Sequence, residues 1–167
     1  IENYGEVKAL GYWVATDIFS ESIDSDEFLF GGCGLISRNG ICKPAYYAFD
    51  FMNHLEHYIL GKNKNAIISY KENGFFFICC HNYKHLNFRY YSRNENEIEL
   101  ENQQRYYSDN ESMQMSFKID NVNNGTYIIK TFSVSQINGN VQNEWKELDY
   151  FNELSLKEVD YLKKWCQ

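Results

Sequence analysis

Apolar positions follow two regimes along the chain. Ala9-Leu10-Gly11-Tyr12-Trp13-Val14-Ala15 is almost uninterrupted and stops at Thr16-Asp17. A run of that kind is the signature of a strand buried on both faces, as in a parallel sheet. One strand cannot build such a sheet. Segment 9–16 therefore pairs with strands outside this chain or packs in an unusual way. Residues 1–8 read as a helix end or a linker into it. Residues 17–42 form a loop longer than ordinary connections, and such loops tend to be functional or mobile. Asp17, Glu21, Asp24, Asp26 and Glu27 crowd its first part, and glycines 31, 32 and 34 follow. Lys43-Pro44 then opens a helix, since the N–H that proline lacks would be unpaired in a first turn anyway. Tyr47, Phe51, Leu55 and Tyr58 recur at helical spacing over 44–58, which predicts a packing face. Gly61 can supply the left-handed stop.

From residue 65 the pattern turns to strands. Residues 66–70 and 75–81 flank Lys71-Glu72-Asn73-Gly74, and Asn-Gly between β-rich runs is a strong hairpin signal. Residues 86–91 read as a further strand. The polar tract 94–104 reads as a short helix or a disordered loop. Residues 113–119 alternate with period two, as a half-buried strand does. Asn123-Asn124-Gly125 turns the chain into 126–135, a long strand rich in β-branched residues. Two helices close the chain. Val141, Trp145 and Leu148 share one face of the first. Ser155-Leu156-Lys157-Glu158 is a capping box that starts the second, whose narrow stripe runs through Val159, Leu162 and Cys166, with Lys163 and Lys164 toward water. There is no internal repeat.

Composition narrows the function classes. The 167 residues are one domain's worth of chain or slightly more. A net charge of −7 without a basic cluster disfavours nucleic-acid and anionic-membrane partners, which need basic surface. No apolar run approaches the roughly 20 residues that span a bilayer. Five cysteines (33, 42, 79, 80 and 166) match no zinc spacing, and adjacent Cys79-Cys80 would point to opposite faces of a strand. They read as reduced, mostly buried thiols of a cytoplasmic protein. The sequons at Asn110 and Asn124 would matter only in a secreted chain. His54 and His57 read as surface histidines. No metal ligand set, phosphate loop or nucleophile elbow is present, so neither metal nor cofactor is expected. Cys33 has no histidine at an identifying spacing.

One ordered series is more specific than any of these signals. It comprises Tyr12-Trp13, then Asp17-Ile18-Phe19-Ser20-Glu21, then Leu29-Phe30-Gly31-Gly32-Cys33-Gly34-Leu35-Ile36, then Asn39-Gly40-Ile41-Cys42-Lys43-Pro44-Ala45-Tyr46-Tyr47-Ala48-Phe49. This series resembles the end of the catalytic barrel in glycoside hydrolase family 39, the β-xylosidases. The remainder is similar to that family's C-terminal region. The resemblance implies a mainly β, α+β fold. Residues 1–60 would hold the last strand, loop and helix of a (β/α)8 barrel, and residues 61–167 an antiparallel β-sandwich with terminal helices. The acidic loop would then be a rim at the C-terminal end of a barrel strand, where barrel active sites are built; without the resemblance it is a solvated acidic loop.

A retaining glycosidase needs two carboxyl groups about 5–5.5 Å apart. The resemblance implies that both precede Ile1, so no catalytic residue is expected in this chain. It implies supporting roles for two residues. Trp13 matches a tryptophan in the floor of the sugar site, and Glu21 matches an acidic residue that hydrogen-bonds sugar hydroxyls. The family usually shows two acidic residues after the Phe, where this chain has Ser20 and Glu21. The expected partner is a xylose-type sugar bound through a longer parent protein. Two alternatives stand beside this. The closing segment also resembles family 39-like regions fused behind AraC-type DNA-binding modules, where the site would sense sugar. Setting the resemblance aside, a stand-alone sandwich could bind carbohydrate on Tyr90, Tyr91, Tyr106 and Tyr107, or those rings could simply pack a sheet. Truncating a barrel should leave strand 9–16 and the aromatic helix face uncovered, which predicts self-association, or capture of strand 9–16 by the sandwich.

Overall fold

A computed structural model describes residues 7, 9–17, 28–29, 33–94, 97, 100–151 and 153–165. They form a mixed α/β structure with one three-stranded antiparallel sheet and four α-helices among the described residues. The chain divides into two compact units. One comprises residues 56–127, the other the described residues of 7–55 and 128–165.

The first unit is built on the sheet β1 (Tyr58–Lys62), β2 (Ala66–Lys71) and β3 (Phe75–Cys80), in that order. The expected hairpin forms, with Lys71 opposite Phe75. Its loop is three residues long, and the last, Gly74, sits at φ +91°, a conformation open to glycine because it has no Cβ. β2 is the buried strand, with Ala66, Ile67 and Ser69 inside. Asn63 turns β1 into β2 by accepting the Asn65 and Ala66 N–H groups on its side-chain oxygen, both at 2.8 Å.

Several sequence expectations in and around this unit differ from the structure. The helix predicted over 44–58 ends at Asn53, and Tyr58 starts β1 opposite Tyr70; pairing with β2 wins over helical spacing. Gly61 is not a helix stop but follows a bulge in β1, where the register shifts between Ile59 and Gly61. Residues 86–91 contain a short helix, α2 (Phe88–Tyr91), because Asn87 caps it by accepting the Arg89 N–H at 2.9 Å. The polar tract ends in a 3-10 helix, Leu100–Tyr106, which agrees with the short-helix alternative. Segments 113–119 and 126–135 run without ladder partners. Tyr127 nonetheless meets Phe76 of β3, with ring centres 6.4 Å apart. No second sheet packs on the first among the described residues.

The second unit closes around Trp145. Its ring is fully buried, 6.0 Å from Phe28 and 5.2 Å edge-on to Tyr150, and its Nε1–H donates to the Phe151 carbonyl at 2.7 Å. It lies on α3 (Val141–Glu147), with Val141 buried on the same face as expected. α4 (Leu156–Trp165) contributes buried Leu162. Lys163 is half-buried rather than turned wholly to water, with its Cε 3.3 Å from where a Gly40 Cβ would lie. α1 (Pro44–Asn53) begins with Pro44 as predicted. The cysteines depart from expectation. Of the four described, Cys33 and Cys80 are exposed and Cys42 and Cys79 half-buried; Cys166 lies outside the described residues. Burial raises the pKa of Cys42, against a hydrogen bond with Tyr47. Burial also raises that of Cys79, helped by neighbouring Cys80. No described helix is long and apolar enough to cross a membrane.

The capping box forms as read. The Ser155 N–H donates to Glu158 Oε2 at 2.7 Å, and the Glu158 N–H to Ser155 Oγ at 3.4 Å. Hydrogen bonds from the Ser155 hydroxyl and N–H hold the Glu158 carboxyl below the usual carboxylate range. A depressed folded-state pKa adds stability that is complete above the unfolded value, about 4.3, and is lost as pH falls through the folded value. The protection factors of amides in the first turn of α4, measured against their intrinsic exchange rates, should therefore fall at acid pH. In Glu158→Ala they should be low throughout and lose that pH dependence.

Candidate functional site

Segment 9–16 meets the rest of its unit through its last residues. The Leu35 N–H donates to the Val14 carbonyl at 3.3 Å, Ile36 N–H to Ala15 at 3.0 Å, and Asp17 N–H to Ile36 at 2.9 Å. Thr16 and Ile36 form an isolated parallel bridge. Residues 33–43 fold back as a tight turn. There the Ser37 N–H donates to the Ile41 carbonyl at 2.8 Å, and the Lys43 N–H to that of Leu35 at 2.9 Å. Tyr12 packs edge-on against Phe49 of α1 at 5.4 Å.

Asp17 ties these pieces together. Its carboxylate accepts the Gly34 N–H at 2.8 Å. It also takes the Lys43 ammonium on both oxygens, at 2.8 and 2.7 Å. Both side chains are largely out of water. Gly34 is fixed by space rather than by φ: a Cβ there would sit 2.5 Å from the Thr16 carbonyl carbon and 2.6 Å from Asp17 N and Oδ1. Only glycine admits this approach.

Trp13 lies four residues before Asp17, is 67% exposed, and is joined to Val14 by a cis peptide. The run is not covered on both faces. Leu10, Tyr12 and Trp13 are all exposed, as expected of a segment without its sheet neighbours, although the Tyr12 ring meets Phe49 of α1. Glu21 falls outside the described residues, so its distance from Trp13 is not defined. Asp17, which the sequence reading grouped with the acidic loop, is instead an anchor. The signal that could have found it was the glycine cluster, read together with a charge at the end of an apolar strand. The four tyrosines do not form a stacking platform. Tyr106 is buried, and Tyr90 meets Tyr91 and Tyr106 edge-on at 5.4 and 6.4 Å. His54 and His57 are exposed, as expected.

No protein-family model matches the chain. Part of it is similar to part of known β-xylosidases. It is 35% identical over 69 residues to a beta-xylosidase of Geobacillus stearothermophilus, covering 41% of this chain and 14% of that protein. It is 46% identical over 44 residues to a beta-xylosidase of Caldicellulosiruptor saccharolyticus, covering 26% of this chain and 9% of the relative. The matched stretches are therefore a small part of each relative's length.

Gly34→Ala should destabilise the chain by about 2–3 kcal/mol, since backbone rather than a movable side chain blocks the methyl group. Asp17→Asn should cost about 1.5–3 kcal/mol by removing the charge that Lys43 and the Gly34 N–H share. Urea titration of both variants against the parent chain measures the two losses.

Proposed function

We propose that this chain is the C-terminal portion of a β-xylosidase-like glycoside hydrolase of the family 39 type. In this reading it contributes the edge of a sugar site and an accessory region, and does not catalyse alone. The observation that carries it is the local similarity to two β-xylosidases. Trp13 offers an uncovered indole face, suited to the apolar C–H face of a pyranose. Glu21 accepts hydrogen bonds from sugar hydroxyls. The Asp17, Gly34 and Lys43 clamp holds the strand end that carries Trp13. The two catalytic carboxylates belong to polypeptide outside this chain, and the ligand is a xylose-type sugar.

The chain alone should release no nitrophenol from p-nitrophenyl β-xyloside, whereas the longer protein should. Trp13→Ala in that longer protein should lower kcat/KM about tenfold, the scale of one lost aromatic contact, about 1.4 kcal/mol. A longer protein without xylosidase activity, or a Trp13 variant with unchanged kcat/KM, would sink the reading.

In isolation the chain also self-associates in this reading. Ile128, Ile129 and Phe132 are 85, 88 and 75% exposed on a segment with no ladder partner. Uncovered apolar groups on a segment whose backbone has no ladder partner are a template for association. Light scattering should give a mass above that of one chain, and Ile129→Lys should lower it. A monodisperse monomer at high concentration excludes this.

A further inference from the structure

The unit of residues 56–127 carries a cleft of about 360 Å³ that the β-xylosidase reading does not use. It is lined by Glu56, His57, Tyr58, Lys71, Glu72 and Asn73. We propose that this cleft binds one residue of a neutral saccharide, as a site separate from Trp13 and independent of the reading given above.

The cleft is shaped by the sheet. Tyr58 begins β1 and stands opposite Tyr70 of β2. The two tyrosines differ in use. Tyr70 is half-buried against Phe76, with ring centres 5.2 Å apart, and its hydroxyl donates to the Glu72 carbonyl at 3.3 Å. Tyr58 is 61% exposed and joins no ring cluster among the described residues, so its face remains open. The opposite wall is the hairpin turn, closed by the Gly74 N–H donating to the Lys71 carbonyl at 3.0 Å. The floor is held by two contacts. The Glu56 N–H donates to the buried Ser69 hydroxyl at 2.9 Å, and Lys71 Nζ lies 3.1 Å from Glu56 Oε1. An acceptor and a donor thus line the same cleft as Tyr58 before any ligand arrives.

Charge selects the ligand class. Two carboxylates against one ammonium leave the cleft net negative, which repels phosphates and sugar acids. The ammonium among the carboxylates opposes a cation, and no described group of three His, Cys, Asp or Glu is placed to hold a metal. A neutral polyol suits what remains. Its hydroxyls accept from Lys71 and the Asn73 amide and donate to Glu56 and Glu72, while its C–H face lies on Tyr58. The volume lies within the range of small-molecule sites, about 300–1,000 Å³. The polar groups are partly solvated, so binding should be weak, in the millimolar range.

Saturation-transfer NMR of the full 167-residue chain with xylotriose tests this, with trigalacturonic acid as the anionic control. Xylotriose should show saturable transfer that Tyr58→Ala and Glu72→Ala each reduce at least fivefold. Tyr58→Phe should preserve it, and trigalacturonic acid should show none. Amide dispersion verifies that each variant is folded. No transfer to xylotriose, transfer that survives Tyr58→Ala, or equal transfer to the anionic control overturns the proposal. Transfer that persists in Tyr58→Ala and disappears in Trp13→Ala overturns it and assigns binding to the other site.

Discussion

The carboxylate of Asp17 is the constraint on which the second unit depends. It joins the end of segment 9–16, the turn at Gly34 and the residue that precedes α1. Removing a carboxylate from water is costly, and a pair of this kind adds stability only when its hydrogen-bonding capacity is met. Here three short bonds meet it, two from Lys43 and one from a backbone N–H. The close approach of Gly34 makes that third bond available. A residue with a Cβ would push Thr16 and Asp17 away and open all three together. The clamp thus joins a glycine, a lysine and an aspartate into one cooperative device, whose parts do not add independently.

The same unit shows what the clamp cannot do. It fixes one end of segment 9–16 but covers none of its side chains. Leu10, Tyr12 and Trp13 remain exposed, and so do Ile128, Ile129 and Phe132 farther along. Burial of apolar surface is worth about 25 cal/mol per Å², so each uncovered side chain forgoes a sizeable stabilisation. Trp145, fully buried with its N–H paired, is the contrasting case. Its truncation to alanine falls in the range of about 3–5 kcal/mol. The core around Trp145 therefore supplies much of the unit's cohesion, while the exposed segments are surfaces in want of cover.

What could be read from the sequence was local. Asn73-Gly74 marked the hairpin, Pro44 the start of α1, Ser155 and Glu158 the start of α4, and Val141 with Trp145 the inner face of α3. Each is a signal that a few neighbouring residues complete among themselves. What could not be read depended on distant partners. Tyr58 fits helical spacing from Tyr47, yet pairing with Tyr70 draws it into a strand. Leu86 to Tyr91 looks β-rich, yet the Asn87 side chain offers a competing local bond and a short helix results. Segments 113–119 and 126–135 have strand composition but no ladder partner. At the candidate site, the acidic crowding after residue 16 was visible while the separate task of Asp17 was not. That task arises only when Gly34 and Lys43, 17 and 26 residues away, return to it.

The two aromatic surfaces proposed to meet sugar differ in how they are held. Trp13 projects from a segment held by hydrogen bonds at its end and by the Tyr12 ring against Phe49, with its own side chain largely exposed. Tyr58 projects from a paired strand, with Lys71 and Glu56 already joined next to it. Orientation fixed before binding reduces the ordering cost of association. The binding proposed for the Tyr58 cleft consequently needs no further polypeptide, and solvent competition limits its affinity. Trp13 requires neighbours to define its site. The contact proposed for Trp13 therefore depends on assembly, and the one proposed for Tyr58 does not.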